Sequence, residues 1–229
     1  MSEKKTDHVR INDILLGPIE RPALQYFCKT APAWATPDTM TFIGILGALV
    51  IAAGYILASN NLAFLWLASL GYLINWYGDS MDGSLARYRK IERPRYGYYV
   101  DHMVDIVNEF IVIMALGFSS LVHFEVAALT LIGYLILSAH TFLRTYVDDV
   151  FKISFGKLGP TEVRVIIILI NTIVFFLNNP QIDTFFNLTV SLYDILLAVV
   201  AALLYIISIN SMVTTSLELA RQEESKKVS

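Results

Sequence analysis

The sequence predicts an all-α integral membrane fold, with six transmembrane helices preceded by an N-terminal amphipathic segment that lies at the interface. Three observations point there. The chain of 229 residues is 55% hydrophobic, too apolar for an ordinary soluble domain with one core. Its apolar residues fall into uncharged runs, the longest from Thr39 to Gly78. Its lysines and arginines collect on one side of the topology those runs impose, the pattern expected when both termini are cytoplasmic.

Taken in order, residues 1–36 form the interfacial segment. Ile14, Leu15, Ile19, Leu24 and Phe27 mix there with Glu20, Arg21 and Lys29, and Pro18, Pro22 and Pro32 are expected to break it into short pieces. The stretch Met1–Asn12 is too polar for a secretory signal. The six-helix domain, residues 37–217, opens at Thr36-Pro37-Asp38: a cap residue, a proline at the first helical position and an acid near the positive helix end. The run from Thr39 to Gly78 would make roughly 60 Å of helix. A hydrocarbon layer is about 30 Å thick, so this is two passes, broken at Ser59-Asn60-Asn61.

The third helix is expected to begin near Gly97 and to carry Asp101, Asp105 and Glu109 into the bilayer ahead of the uncharged run Phe110–Leu121. Val126–Leu143, Val165–Gln181 and Ile195–Leu217 supply the last three spans. Gly159-Pro160-Thr161-Glu162 opens the fifth, with Glu162 placed to reach back to the helix start. Residues 218–229 read as a cytoplasmic tail. The outer turns near Asn60, His123 and Asn179 hold no Lys or Arg, whereas the inner connection between spans 2 and 3 carries Arg87, Arg89, Lys90, Arg93 and Arg95. A single cysteine, Cys28, excludes an internal disulfide and offers no metal cluster of its own.

The chemistry concentrates in four acids. Asp79 and Asp82 are three apart at the inner end of span 2, and Asp101 and Asp105 four apart at the start of span 3, so each pair shares a helix face. The two helices are consecutive and antiparallel, so the faces can meet. A lone carboxylate at membrane depth costs about 2.5–3.5 kcal/mol, and four unpaired ones about 10 kcal/mol together. Positive charge must therefore sit among them. Hard divalent cations with oxygen ligands suit this better than arginines that emerge into the loop, and Mg²⁺ commonly bridges carboxylates to substrate phosphates. Gly83 and Ala86 leave room for a ligand, or else serve helix packing.

The residues Asp79-Ser-Met-Asp82-Gly83-Ser-Leu-Ala86-Arg87, followed by Gly97-Tyr-Tyr-Val-Asp101-His-Met-Val-Asp105, closely resemble the signature of the CDP-alcohol phosphotransferase family. All eight motif positions match. The nine residues between Arg87 and Gly97 are one more than the family's usual spacing, an inexpensive change in a loop. The resemblance implies that Asp79, Asp82 and Asp101 hold two divalent cations, Mg²⁺ or Mn²⁺. It implies that Asp105, beside the same metal site, is the general base that takes the acceptor's proton. Gly83, Ala86, Arg87 and Gly97 would receive the CDP donor, which is CDP-diacylglycerol or another CDP-alcohol. The product side is CMP and a phosphoalcohol passed to a small alcohol or lipid acceptor. A homodimer in membrane lipid, with its site facing the cytoplasm and no nucleic-acid partner, completes the expectation.

Outside the motif, His102, His140, Arg144 and Arg164 are candidates for an acceptor pocket, with Asp148 and Lys157 nearby in sequence; interfacial snorkelling and intramembrane pairing explain them equally. Asn108 is expected to hydrogen-bond a neighbouring helix, and Glu109 to pack beside the site. Two other functions use clustered acids. An intramembrane prenyltransferase would place them on non-adjacent helices of a longer bundle, and a divalent-cation carrier would place polar residues at the bilayer midplane.

Overall fold

The computed structural model describes residues 9–11, 15–148, 150–152, 159–183 and 189–228. Ile14 and Lys157 lie outside them, as does the side chain of Asp148. Seven helices dominate: α1 (Gly17–Thr30), α2 (Pro37–Ala58), α3 (Leu65–Arg89), α4 (Pro94–Gly117), α5 (Phe124–Asp148), α6 (Pro160–Leu177) and α7 (Leu192–Val228). The last six close into a ring in which each packs on two others, in the order α2, α3, α6, α7, α5, α4 and back to α2. Ile51, Tyr55, Leu65, Val112, Leu116, Leu131, Val174 and Tyr193 fill its interior. The outer faces are apolar too, with Phe176 72% and Ile206 63% exposed, as expected of helices whose solvent is lipid.

Four helices are long and apolar enough to cross a membrane: Pro37–Ala58, Phe124–Val147, Pro160–Leu177 and Leu192–Ser225. α3 and α4, at 25 and 24 residues, have the length of spans, but their charged and polar residues keep them out of that group. The polar break falls where expected, between α2 and the short 3-10 turn Leu62–Phe64 that leads into α3. α4 starts at Pro94, earlier than the expected Gly97, because proline fits the first helical turn and α3 itself runs on to Arg89. The extra residue is thereby absorbed in a tight connection, with Lys90 in the left-handed region at φ 56°. α7 stays helical past Leu217 to Val228. Among the described residues there are also two small sheets, absent from the all-helical expectation. Val9–Ile11 pairs in parallel with Val150–Lys152, and Gln181–Asp183 pairs antiparallel with Thr189–Ser191.

Gly47, Gly54, Gly71 and Gly78 let α2 and α3 touch backbone to backbone. A β-carbon at Gly71 would stand 2.6 Å from the Ile51 nitrogen, and one at Gly54 would stand 2.5 Å from the Ala68 nitrogen. Gly78 would collide with Gly44 in the same way. Small residues admit such close approach in membranes, where dispersion replaces the hydrophobic drive between helices. Asn75 donates to the Gly44 carbonyl at 2.9 Å and fixes the register of the pair. Capping holds the helix start: the Thr36 hydroxyl accepts from the Thr39 nitrogen at 3.2 Å, and the Thr39 hydroxyl accepts from the Thr36 nitrogen at 2.6 Å. Asp38 also forms an ion pair with Arg93 at the head of α4.

The prolines do not break the N-terminal segment as expected. Pro18 falls in the first turn of α1, Pro22 is inside the helix, and only Pro32 follows its end. An interior proline costs about 3 kcal/mol, so tertiary contacts must hold the helix. Three polar anchors do so. Glu20 accepts from Trp76 Nε1 at 3.2 Å, Ser80 Oγ at 3.1 Å and Thr161 Oγ1 at 3.2 Å, joining α1 to α3 and α6. Glu162 caps α6 by accepting from the Gly159 nitrogen at 2.9 Å, as expected, and its other oxygen accepts from the Leu16 nitrogen at 2.7 Å. Arg89 donates to the Ala31, Pro32 and Ala35 carbonyls beyond α1. Cys28, Met40, Met81 and Leu85 are buried beneath, while Ile19 and Tyr26 remain exposed.

Two outcomes follow for stability in detergent. Gly71→Ala is expected to lower the unfolding temperature, by the roughly 1–3 kcal/mol typical of overpacking. Gly97→Ala, with nothing within 4 Å of the added carbon, should hold that temperature or raise it, because alanine loses less backbone entropy in a helix than glycine. Glu20→Leu strands three donors and is expected to cost about 1–3 kcal/mol; trypsin should then cut faster after the exposed Lys29, which digestion timed on a gel reads directly.

Candidate active site

The end of α3 and the start of α4 bring the acids together. Carboxylate oxygens of Asp79, Asp101 and Asp105 lie within 4.8 Å of one another. At that separation each ionised pair repels by about 3–4 kcal/mol at an effective dielectric constant near 20. Asp82 stands slightly apart: one oxygen accepts from Thr41 Oγ1 at 2.9 Å and the other from the Gly83 backbone nitrogen. It still shares a cleft with the others, lined by Thr41 and Gly44 of α2, Asp79 and Asp82 of α3, and Asp101, Val104 and Asn108 of α4.

Among the described residues, one guanidinium donates to the cluster. Arg164, one turn into α6, donates from Nη2 to Asp79 Oδ2 at 2.8 Å and from Nε to Asn75 Oδ1 at 3.0 Å. Its third nitrogen, Nη1, is buried with no hydrogen-bond partner among the described residues. A single guanidinium against three carboxylates leaves the cluster negative, and hard oxygens this close match what a divalent cation requires. The residues present therefore fit the metal that the sequence leads one to expect.

The remaining motif residues, Gly83, Ala86 and Arg87 on α3 and Gly97 on α4, are outside the lining of that cleft. Arg87 is exposed and lies across Gly83, its Nη1 3.2 Å from where a β-carbon would be, and Nη2 donates to Ser84 at 3.3 Å. Ala86 is half-buried and its carbonyl accepts the Ile91 nitrogen at 3.0 Å, closing the end of α3. Neither Gly83 nor Gly97 abuts backbone from another helix, unlike the glycines between α2 and α3. Contact between helices does not require glycine at either position.

The acceptor candidates separate. Arg164 joins the acids. His102 is 3.4 Å from Asp101 Oδ2, with its ring stacked on Tyr98 at 4.1 Å and against Phe142 of α5 at 5.1 Å. Arg144 instead donates to Thr215 at 2.9 Å and Glu218 at 2.7 Å, tying α5 to α7. His140 lies one turn before Arg144, and its Nε2 has no hydrogen-bond partner among the described residues. Asn108, expected to hydrogen-bond a neighbouring helix, has its Oδ1 buried with no hydrogen-bond partner among the described residues. Sequence reasoning missed Thr41, Asn75 and Glu20. A lone acid among apolar residues could have flagged Glu20, whereas Thr41 and Asn75 carry no local signal.

Comparison with known proteins agrees with this geometry. The family model for CDP-alcohol phosphatidyltransferase matches residues 34–215. Archaetidylinositol phosphate synthase of Pyrococcus horikoshii is 31% identical over 124 residues. That match spans 54% of this chain and 63% of the relative's length. The crystal structure of Mycobacterium tuberculosis phosphatidylinositol phosphate synthase with CDP-DAG bound has the same fold, with a TM-score of 0.52 at 19% identity, covering 86% of this chain and 91% of that one. Four helices long and apolar enough to cross a membrane, eight matched motif positions and a family match across most of the sequence lead to one conclusion: this integral membrane protein belongs to the CDP-alcohol phosphatidyltransferase family.

Proposed function

We propose that this protein transfers a phosphatidyl group from CDP-diacylglycerol to the hydroxyl of a phosphate-bearing alcohol, with release of CMP. The observation that carries the reading is the convergence of Asp79, Asp101 and Asp105 within 4.8 Å, beside Arg164. Asp79, Asp82 and Asp101 are assigned to two divalent cations, Mg²⁺ or Mn²⁺. When bound, such ions offset the charge of the donor diphosphate and of the leaving CMP. Gly83, Ala86 and Gly97 are assigned to the cytidine and its phosphates, and the exposed Arg87 offers a guanidinium to a phosphate oxygen.

Asp105 takes the proton of the acceptor hydroxyl as its oxygen bonds to the β-phosphorus; the bond from that phosphorus to the bridging oxygen breaks, and the electron pair leaves with CMP. The base must stay free enough of metal to hold a proton, and Asp105 lies one turn further along α4 than Asp101. Arg164 Nη1 supports an acceptor that carries phosphate, because a buried unpaired guanidinium donor suits an anionic oxygen. The names of the two relatives, both inositol phosphate synthases, agree. His102 borders the same pocket in this reading, while His140 and Arg144 support the wall formed by α5 and α7. The basic residues of the α3–α4 connection lie beside the acids, and the opposite turns lack them; this supports six spans, cytoplasmic termini and a cytoplasmic site.

The purified protein should release CMP from CDP-diacylglycerol only with Mg²⁺ or Mn²⁺ and with inositol phosphate or glycerol phosphate, added in separate arms, whereas serine, which carries no phosphate, should give none. No metal-dependent release with any acceptor from a folded protein would refute the proposal. Asp105→Asn is expected to reduce turnover at least 10²-fold, at the low end for lost general base catalysis, with calorimetric donor binding largely kept. Asp82→Asn should weaken donor and metal binding together. Equal loss of donor binding in both variants would overturn the division of roles.

A further inference from the structure

Asn108 is 7% exposed, and its Oδ1 has no hydrogen-bond partner among the described residues. Leaving a buried amide oxygen unpaired costs about 1–3 kcal/mol, which an apolar residue of the same shape would avoid. Its neighbours on α4, Ile106, Val107, Val112 and Ile113, show that apolar side chains suit this depth. Among the described residues, nothing donates to that oxygen.

Its position supplies a use. Asn108 lines the same cleft as Asp79, Asp82 and Asp101. It follows Asp105 by three residues, about 4.5 Å further along the helix axis, and stands two turns beyond Asp101 on one face. Side chains on a helix lean toward its N-terminus, so the carboxamide leans toward the acids. Small hard cations retain water, and the hydrogens of that water need acceptors. A neutral oxygen provides one without adding negative charge to carboxylates that already repel one another.

We propose that Asn108 closes the deep side of the cation-holding cleft, its Oδ1 accepting a hydrogen bond from a water carried by the bound cation. This rests on the metal-dependent reading above. It makes Asn108 a positioning residue that acts through water.

The test is Mn²⁺ titration of the full-length protein in detergent without donor, with free Mn²⁺ read by electron paramagnetic resonance. Asn108→Leu is expected to raise the Mn²⁺ Kd about tenfold or more, as losing a partner in the outer shell of a metal does, while the unfolding temperature in EDTA holds or rises. Asn108→Asp keeps the shape and the acceptor and should bind Mn²⁺ at least as tightly as wild type. A Leu variant within twofold of wild type overturns the inference. Should that variant fail to fold, Asn108→Asp decides, and weaker binding than wild type overturns it. Wild-type protein that releases CMP in a metal-dependent way beside an unaffected Leu variant refutes this inference alone. Wild-type protein that neither binds Mn²⁺ nor releases CMP refutes the functional proposal as well.

Discussion

Three carboxylates held within 4.8 Å of one another, toward the facing ends of α3 and α4, are the constraint around which the molecule is organised. Left alone they would drive α3 and α4 apart. The close contact of α2 and α3 opposes this from one side, because glycines let the backbones meet and leave α3 little freedom to retreat. Arg164 opposes it from the other by bringing a guanidinium from α6 to Asp79 and Asn75. Among the described residues that ion pair sets one guanidinium against three carboxylates, an arrangement that the proposed divalent cations would complete.

The N-terminal helix belongs to the same frame. Glu20 receives donors from Trp76 and Ser80 on α3 and from Thr161 on α6, so one carboxylate spans the two helices that carry Asp79 and Arg164. Glu162 and Arg89 fasten the two ends of α1 to α6 and α3. Through these bonds, a helix with one apolar face outward and the other against the bundle is coupled to the turn that carries the motif. Its interior proline is tolerated because neighbouring helices replace what the backbone loses.

Much of this was legible in the residues. Uncharged runs separated by Ser59-Asn60-Asn61 and by short polar segments gave the helix order, since a bilayer fixes helix length. Acid spacings of three and four residues gave the shared faces of Asp79 with Asp82 and Asp101 with Asp105. The Thr36 cap and the Glu162 box are local rules, and both hold. What failed was non-local. Prolines read as breakers because the anchors that offset Pro22 come from residues more than 50 positions away. Arg144 and Arg164 look alike in sequence, yet one turns to Glu218 and the other to Asp79, and only the ring order of the helices decides which. The unpaired oxygen of Asn108 is visible only once its surroundings are known.

The central claim is that this acidic cleft is a cation site and not a salt-bridged element of the bundle. Anomalous scattering from crystals grown with Mn²⁺ tests it most directly. The account predicts two peaks enclosed by Asp79, Asp82 and Asp101, with Asp105 alongside. Full-occupancy protein density with no anomalous peak among these acids, and Arg164 paired to Asp79 as their only countercharge, would contradict it.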